Sequence, residues 1–389
     1  MHSTAALLLA TASHLGEKGS PMADQEFLRR AIVRILQNSS VQTADIEEGC
    51  RDQVGCRLWY RATTAAPSSK TDTHTADFSE GRYLIASLTK SVVSLLAVQL
   101  AAEGLYYLNE PVRNFLPAFR RGPLRTITLR HLLTHTSGLP DMLPDNDALR
   151  QRHATISEFA QATADIDPAF QPGHAVSYCS MGFAVLACVI EQVTTIPVSG
   201  LLSERLLRPL QMHQSWLGLP DDQADELLPT TVPSILPPAQ PAQCSWNWNS
   251  RYWRTLGAPW GGMISTVSDL GRLLQCLLRQ GVSETGQSVL FPATVRSSSR
   301  NQTRHMAGLQ ETDRLRRPWG LGWRLNWPDH SGCFSDFLPA SAWGHWGATG
   351  TLMWVNPKTE RWCVILTNQP FEQSQQVIQR ISNVIAAAG

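Results

Sequence analysis

The chain reads as an α+β protein: an antiparallel sheet flanked by N- and C-terminal helices, with a mainly helical second lobe. Three observations predict this. Short runs rich in β-branched and aromatic residues fall near both ends, at 57–61 and 83–86 and again at 319–327, 350–356 and 361–368. The long stretch between them has mostly helical or loop character. Helical spacing closes both extremities, at 25–37 and 377–387. The simplest arrangement brings the two ends into one sheet and leaves the middle as a second lobe, with a site expected at their junction.

Residues 1–24 are expected to be a disordered start, and 25–389 a single domain. Its sheet lobe would cover about 25–86 and 318–389, its helical lobe about 87–317. In the segment 25–37, Phe27, Ile32, Ile35 and Leu36 keep helical spacing with arginines between them, as a surface helix would. Residues 63–80 are polar and carry Pro67, so they read as a loop or hairpin. A long helix follows over 87–103, where Leu88, Val92, Leu95, Leu96 and Leu100 track a 3.6 period until Gly104 ends it. Further helices are expected at 156–163, 182–194, 201–207 and 268–280. Residues 222–243 hold five prolines and read as a loop. The turn Asn356-Pro357-Lys358-Thr359 separates the last two strands.

Composition narrows the function classes. A formal charge of +1 without long like-charge runs gives no reason to expect a nucleic acid or an anionic membrane as partner. No stretch approaches the roughly 20 apolar residues of a membrane span. The expected partner is a small-molecule substrate. The eight cysteines (Cys50, Cys56, Cys179, Cys188, Cys244, Cys276, Cys333 and Cys363) show no metal-ligand spacing and read as reduced thiols. Residues 5–9 are apolar and precede Ala10-Thr11-Ala12, but Met1 to Thr4 lack the basic residue of an export signal. A cytoplasmic location is expected, with export as the alternative.

Ser87-Leu88-Thr89-Lys90 carries the chemistry. A three-residue step on a helix sets both side chains on one face. Serine needs a neighbour to take its proton, and a lysine whose pKa is lowered by burial can do so. At the helix N-terminus the free N–H groups also favour developing negative charge. On its own Ser-x-x-Lys is common, and the bland reading is a helix cap beside a solvated lysine.

Several further segments change that balance. Ile85-Ala86-Ser87-Leu88-Thr89-Lys90-Ser91 resembles the first active-site box of the serine β-lactamase and penicillin-binding-protein superfamily. Residues 127–139, ITLRHLLTHTSGL, resemble a signature of its class C-like branch. Tyr178-Cys179-Ser180, residues 261–266 with Asp269, and His345-Trp346-Gly347 resemble later segments, in the same order. The resemblance covers most of residues 80–368 and implies a β-lactamase-like fold and acyl transfer without a cofactor or metal. It implies Ser87 as nucleophile, Lys90 as its activator and Tyr178 as proton shuttle, acting as phenolate or through Lys90. It further implies an oxyanion hole from the N–H groups of Ser87 and Ala348, and substrate contacts from Ser180, His345, Trp346 and Gly347.

Two departures bear on substrate. Ser180 stands where Asn is usual, and His345-Trp346-Gly347 replaces Lys-Thr-Gly. Losing a charge-assisted hydrogen bond to a substrate carboxylate costs roughly 1.5–3 kcal/mol. Neutral esters lose nothing, so ester hydrolysis is favoured. A β-lactam or D-amino peptide substrate stays open, as does a catalytically idle binding relative. His345 would donate a hydrogen bond to substrate or orient Tyr178.

Other candidates have plainer readings. His131 and His135, four apart, lack an HExxH glutamate and read as packing residues. Cys179 has no recognisable histidine base, although thiol reagents are expected to perturb the site through it. The tryptophans at 246, 248, 253 and 260, and at 319, 323 and 343, suit either an apolar pocket or lobe packing.

Overall fold

The structure, a computed structural model, describes residues 21–62, 80–240, 242, 244–327 and 334–388. The loop expected at 63–80 therefore lies outside the described residues apart from Glu80. So do Cys333 and positions 1–20 of the expected disordered start.

Six strands form an antiparallel sheet in the order β2-β1-β9-β8-β7-β6. They are β1 (Thr43–Cys50), β2 (Gln53–Arg61), β6 (Arg324–Leu325), β7 (Trp343–Gly347), β8 (Thr351–Asn356) and β9 (Arg361–Thr367). Both ends of the chain thus meet in one sheet, β1 pairing with β9 in the register Ala44–Thr367 to Cys50–Arg361. The helices Pro21–Gln37 and Phe371–Ala387 cover one face. There Ile32, Leu36, Ile378, Ile381 and Ile385 pack on Ile46, Trp354 and Ile365. The helix Val267–Leu278 and the helical lobe cover the other face, where Met353, Val355, Trp362, Val364 and Leu366 join a larger core. Alternation along the strands explains this division, because successive side chains point to opposite faces.

Besides β7, a strand where none was expected, three features differ from expectation. The first helix starts at Pro21 rather than residue 25. Strand β1 was not foreseen: Asp45, Glu47 and Glu48 break the apolar pattern that marks a strand, yet all three are buried. Tyr83–Leu84 (β3) does not enter the main sheet. It pairs with Met263–Ser265 (β5), which also pairs with Trp216–Leu217 (β4), making a second, three-stranded sheet. Strands of two or three residues are too short for a period to identify.

The middle of the chain is helical, with Leu88–Ala102 as its buried axis. The residues of this helix from Leu88 to Leu100 are all buried. The region expected as a loop at 222–243 contains a short helix, Ala224–Leu227, followed by a 3-10 turn at Leu228–Thr230. Trp246, Trp253 and Trp260 meet in series, the first pair tilted and the second edge-on, with Arg150 over the first two, so this cluster packs the helical lobe. Among the described residues no single helix is long and apolar enough to cross a membrane.

Candidate active site

Ser87 sits where β3 ends and the Leu88–Ala102 helix begins. Between them Ala86 holds φ at +46°, a left-handed conformation that costs a non-glycine residue roughly 1–2 kcal/mol. This turn is pinned from the main sheet. Thr349 Oγ1 donates to Leu84 O at 2.6 Å and Thr351 Oγ1 to Ile85 O at 2.9 Å. Gly347 lets β7 approach, since a Cβ there would lie 2.5 Å from Ile85 O and 3.1 Å from Ala86 Cβ. The Ala348 turn is thereby held against the Ser87 turn. Among the described residues no backbone acceptor faces the N–H of Ser87 or of Ala348.

One helical turn on, Lys90 Nζ lies 3.1 Å from Ser87 Oγ and 2.7 Å from Trp260 O. Lys90 is wholly buried, and no described carboxylate stands within ion-pair distance. Burial lowers its pKa to about 7, against a smaller opposing pull from Asp141. Near neutral pH a large share of this amine is therefore uncharged.

Tyr178 lies across the cleft, its ring centroid 4.8 Å from Lys90 Nζ. Burial raises its pKa well above the ordinary phenol value, although the Ser87 hydroxyl pulls the other way. The phenol is thus protonated, contrary to the phenolate form that the sequence left open. His135 stacks on this ring at 4.6 Å, and Trp319 meets His135 edge-on at 4.2 Å. His135 Nδ1 accepts from the Cys179 N–H at 3.0 Å, so in the neutral ring Nε2 carries the proton.

His345 also faces this cleft from β7. Its Nδ1 lies 2.7 Å from Trp346 O, which can only accept, so Nδ1 is the donor. Burial lowers the pKa of the ring to about 3, which keeps it neutral and leaves Nε2 a bare acceptor with no partner among the described residues. This corrects the expectation of donation to substrate: His345 can only accept through Nε2.

The structure does not bring every candidate to Ser87. Trp346 points to the opposite face of β7 and packs with Phe334 and Phe371. Only its carbonyl serves the cleft. Ser180 is buried, and both its N–H and its hydroxyl donate to Asp141 Oδ1, at 3.0 and 2.5 Å. Strand alternation would have sorted His345 from Trp346. Asp141, missed by the sequence reading, follows directly on Gly138-Leu139-Pro140 and had no other signal. His131 caps a helix with Thr128. Cys179 is buried with its thiol pKa raised to about 12 by burial, so it is an unreactive thiol and not the reagent target expected.

Comparisons with known proteins give the family and the fold. Residues 57–386 match the family described as Beta-lactamase. Over 271 residues the chain is 29% identical to Penicillin-binding protein 4 of Amycolatopsis lactamdurans, covering 68% of this chain and 65% of that protein. The chain therefore spans just under two thirds of that curated relative. A penicillin-binding-protein homologue from Caulobacter crescentus superposes with a TM-score of 0.74 at 19% identity, over 95% of this chain and 98% of its own. EstCE1, a hydrolase with promiscuous acyltransferase activity, superposes with a TM-score of 0.71 at 16% identity, over 94% and 100%. At these identities the two structures speak for the fold alone.

Proposed function

The chain belongs to the β-lactamase family, and we propose that it is a serine hydrolase that cleaves carboxylic esters through an acyl-enzyme on Ser87. The observation that carries this reading is the buried, unpaired Lys90 amine 3.1 Å from Ser87 Oγ. A lysine with a pKa of about 7 is matched to proton removal near neutral pH.

In the proposed sequence Ser87 Oγ attacks the ester carbonyl and its proton passes to the neutral Lys90 amine. The N–H groups of Ser87 and Ala348 hold the resulting oxyanion. The tetrahedral intermediate collapses, its C–O bond breaks, and the Tyr178 phenol, reprotonated from Lys90, delivers the proton to the departing alcohol. Water then attacks the acyl group and gives a proton to the neutral Lys90 amine; the bond from the acyl carbon to Ser87 Oγ breaks, Lys90 returns the proton to Oγ, and the carboxylic acid leaves. Lys90 thus starts as a base and Tyr178 as an acid, the division that their opposite pKa shifts favour.

Substrate preference follows from His345. A neutral acceptor offers a substrate carboxylate no charge and no proton, whereas a neutral ester asks for neither. The name of the Amycolatopsis relative, a penicillin-binding protein, keeps a β-lactam substrate as the second reading. Hydrolysis of p-nitrophenyl butyrate beside a chromogenic cephalosporin separates them. Ester turnover that vanishes in Ser87→Ala, with little cephalosporin cleavage, supports the proposal. Fast cephalosporin cleavage would favour the second reading, and silence on both would favour an idle relative.

A further inference from the structure

Away from Ser87 the surface carries an open pocket of about 810 Å³ with an unusual lining. Arg130, Arg300 and Arg304 line it together with His131, His174 and His305, and among the described residues no carboxylate does. None of Ser87, Lys90, Tyr178 or His345 belongs to it. We propose that this pocket binds a small molecule carrying two or more negative charges on phosphoryl or carboxylate groups.

The way the arginines are held supports this. Arg130 is half-buried, and its guanidinium is oriented by neutral amides. Nε donates to Asn109 Oδ1 at 2.7 Å and a terminal nitrogen to Gln302 Oε1 at 2.5 Å. These bonds fix the direction of the fork without cancelling its charge. No ion pair among the described residues involves Arg130, Arg300 or Arg304, whereas the arginines beside the buried carboxylates of β1, Arg57, Arg61 and Arg361, each have one. Burial and the neighbouring charge of Arg300 both lower the Arg130 pKa, as expected for like charges facing one space. Such a cluster is destabilised until an anion enters, and guanidinium forks match the oxygens of phosphate and carboxylate.

The pocket also has room built into its wall. Gly173 holds φ at +85°, and a Cβ there would come within 3.2 Å of His131 Nε2. Gly308 lies opposite, where a Cβ would stand 2.9 Å from Gly173 O and 3.0 Å from the His174 ring. The two glycines keep the basic side chains accessible. The volume lies within the ~300–1,000 Å³ usual for small-molecule sites.

Titration calorimetry on the full chain tests the proposal, with pyrophosphate and citrate as probes at constant ionic strength. The comparison is with the double variant Arg300→Gln, Arg304→Gln, whose replaced side chains are exposed and bond to no described protein group, so its unfolding temperature without ligand should match wild type. Saturable one-to-one binding of at least one probe, weakened about tenfold or more in the double variant, is the expected result. Pyrophosphate alone would identify a phosphoryl ligand and citrate alone a carboxylate one, and either supports the site. No saturable binding of either probe, or equal affinity in the double variant, would overturn it.

Discussion

Two regions of the molecule bury titratable groups, and they treat them in opposite ways. In strand β1, Asp45, Glu47 and Glu48 are enclosed, but each has an arginine partner. Arg61 pairs with Asp45, Arg57 with Glu47 at 2.5 Å, and Arg361 with Glu48. Tyr83 OH and the Gly81 N–H complete the shell of Asp45. In the cleft, Lys90 and His345 are as deeply buried and have no counter-charge. A buried charge with a partner holds architecture together, because removing one member strands the other. A buried base without one loses its proton far more easily than in water and is available for proton transfer. The difference assigns β1 to stability and the cleft to chemistry.

That assignment breaks if Lys90 turns out to stabilise the fold. Lys90→Met is expected to lower ester turnover by about 10³-fold or more, since the serine loses its base. The same variant should be more stable than wild type at pH 6, by on the order of 4 kcal/mol. At that pH the native lysine must charge in a buried site, with a pKa of about 7 against 10.5 when free. Between about pH 7 and 10.5 the unfolded chain binds more protons at this residue, so its contribution to stability rises with pH. The advantage of Lys90→Met should shrink toward pH 10. Urea unfolding at the two pH values checks this, and a destabilised variant at pH 6 would refute the contrast.

The opposite behaviour is expected of Asp45→Asn. It leaves Arg61 without its partner and should cost about 2–3 kcal/mol in urea unfolding, with turnover per folded molecule preserved. The loss falls below the ~3–5 kcal/mol of a fully enclosed pair because Arg61 remains 21% exposed. Tyr178→Phe comes next, lowering kcat by about 10²-fold with little change in KM, as loss of a proton donor does. The smallest effect is the pH profile. Ester kcat/KM should rise about tenfold per unit below pH 7 and level off above it, as Lys90 loses its proton. A profile flat from pH 5 to 8 would remove Lys90 as the base.

Much of this was legible in the sequence, for reasons particular residues make clear. Ser87 and Lys90 are three apart at the start of a long apolar helix, so their meeting follows from helical geometry. Strands β8 and β9 and the two terminal helices follow from residue type and spacing, and β6 falls inside the longer run expected at 319–327, whereas β7 was not expected as a strand. Strand β1 was hidden because its carboxylates become tolerable only when Arg57, Arg61 and Arg361 arrive from β2 and β9. The protonation of the cleft was hidden for a related reason. Burial is a property of the packed lobes, so neither the proton on the Tyr178 phenol nor the acceptor-only His345 can be seen in a local motif. Asp141 acquires its place only through Ser180, 39 residues away.

The central claim is that the Ser87 hydroxyl carries the acyl group. Rapid acid quench during p-nitrophenyl butyrate turnover, followed by mass spectrometry of the tryptic peptide ending at Lys90, tests it directly. The account predicts one butyryl group on Ser87 in wild type and none in Ser87→Ala, which should also be inactive. Turnover that persists in Ser87→Ala, or a butyryl group carried by another residue, would contradict it.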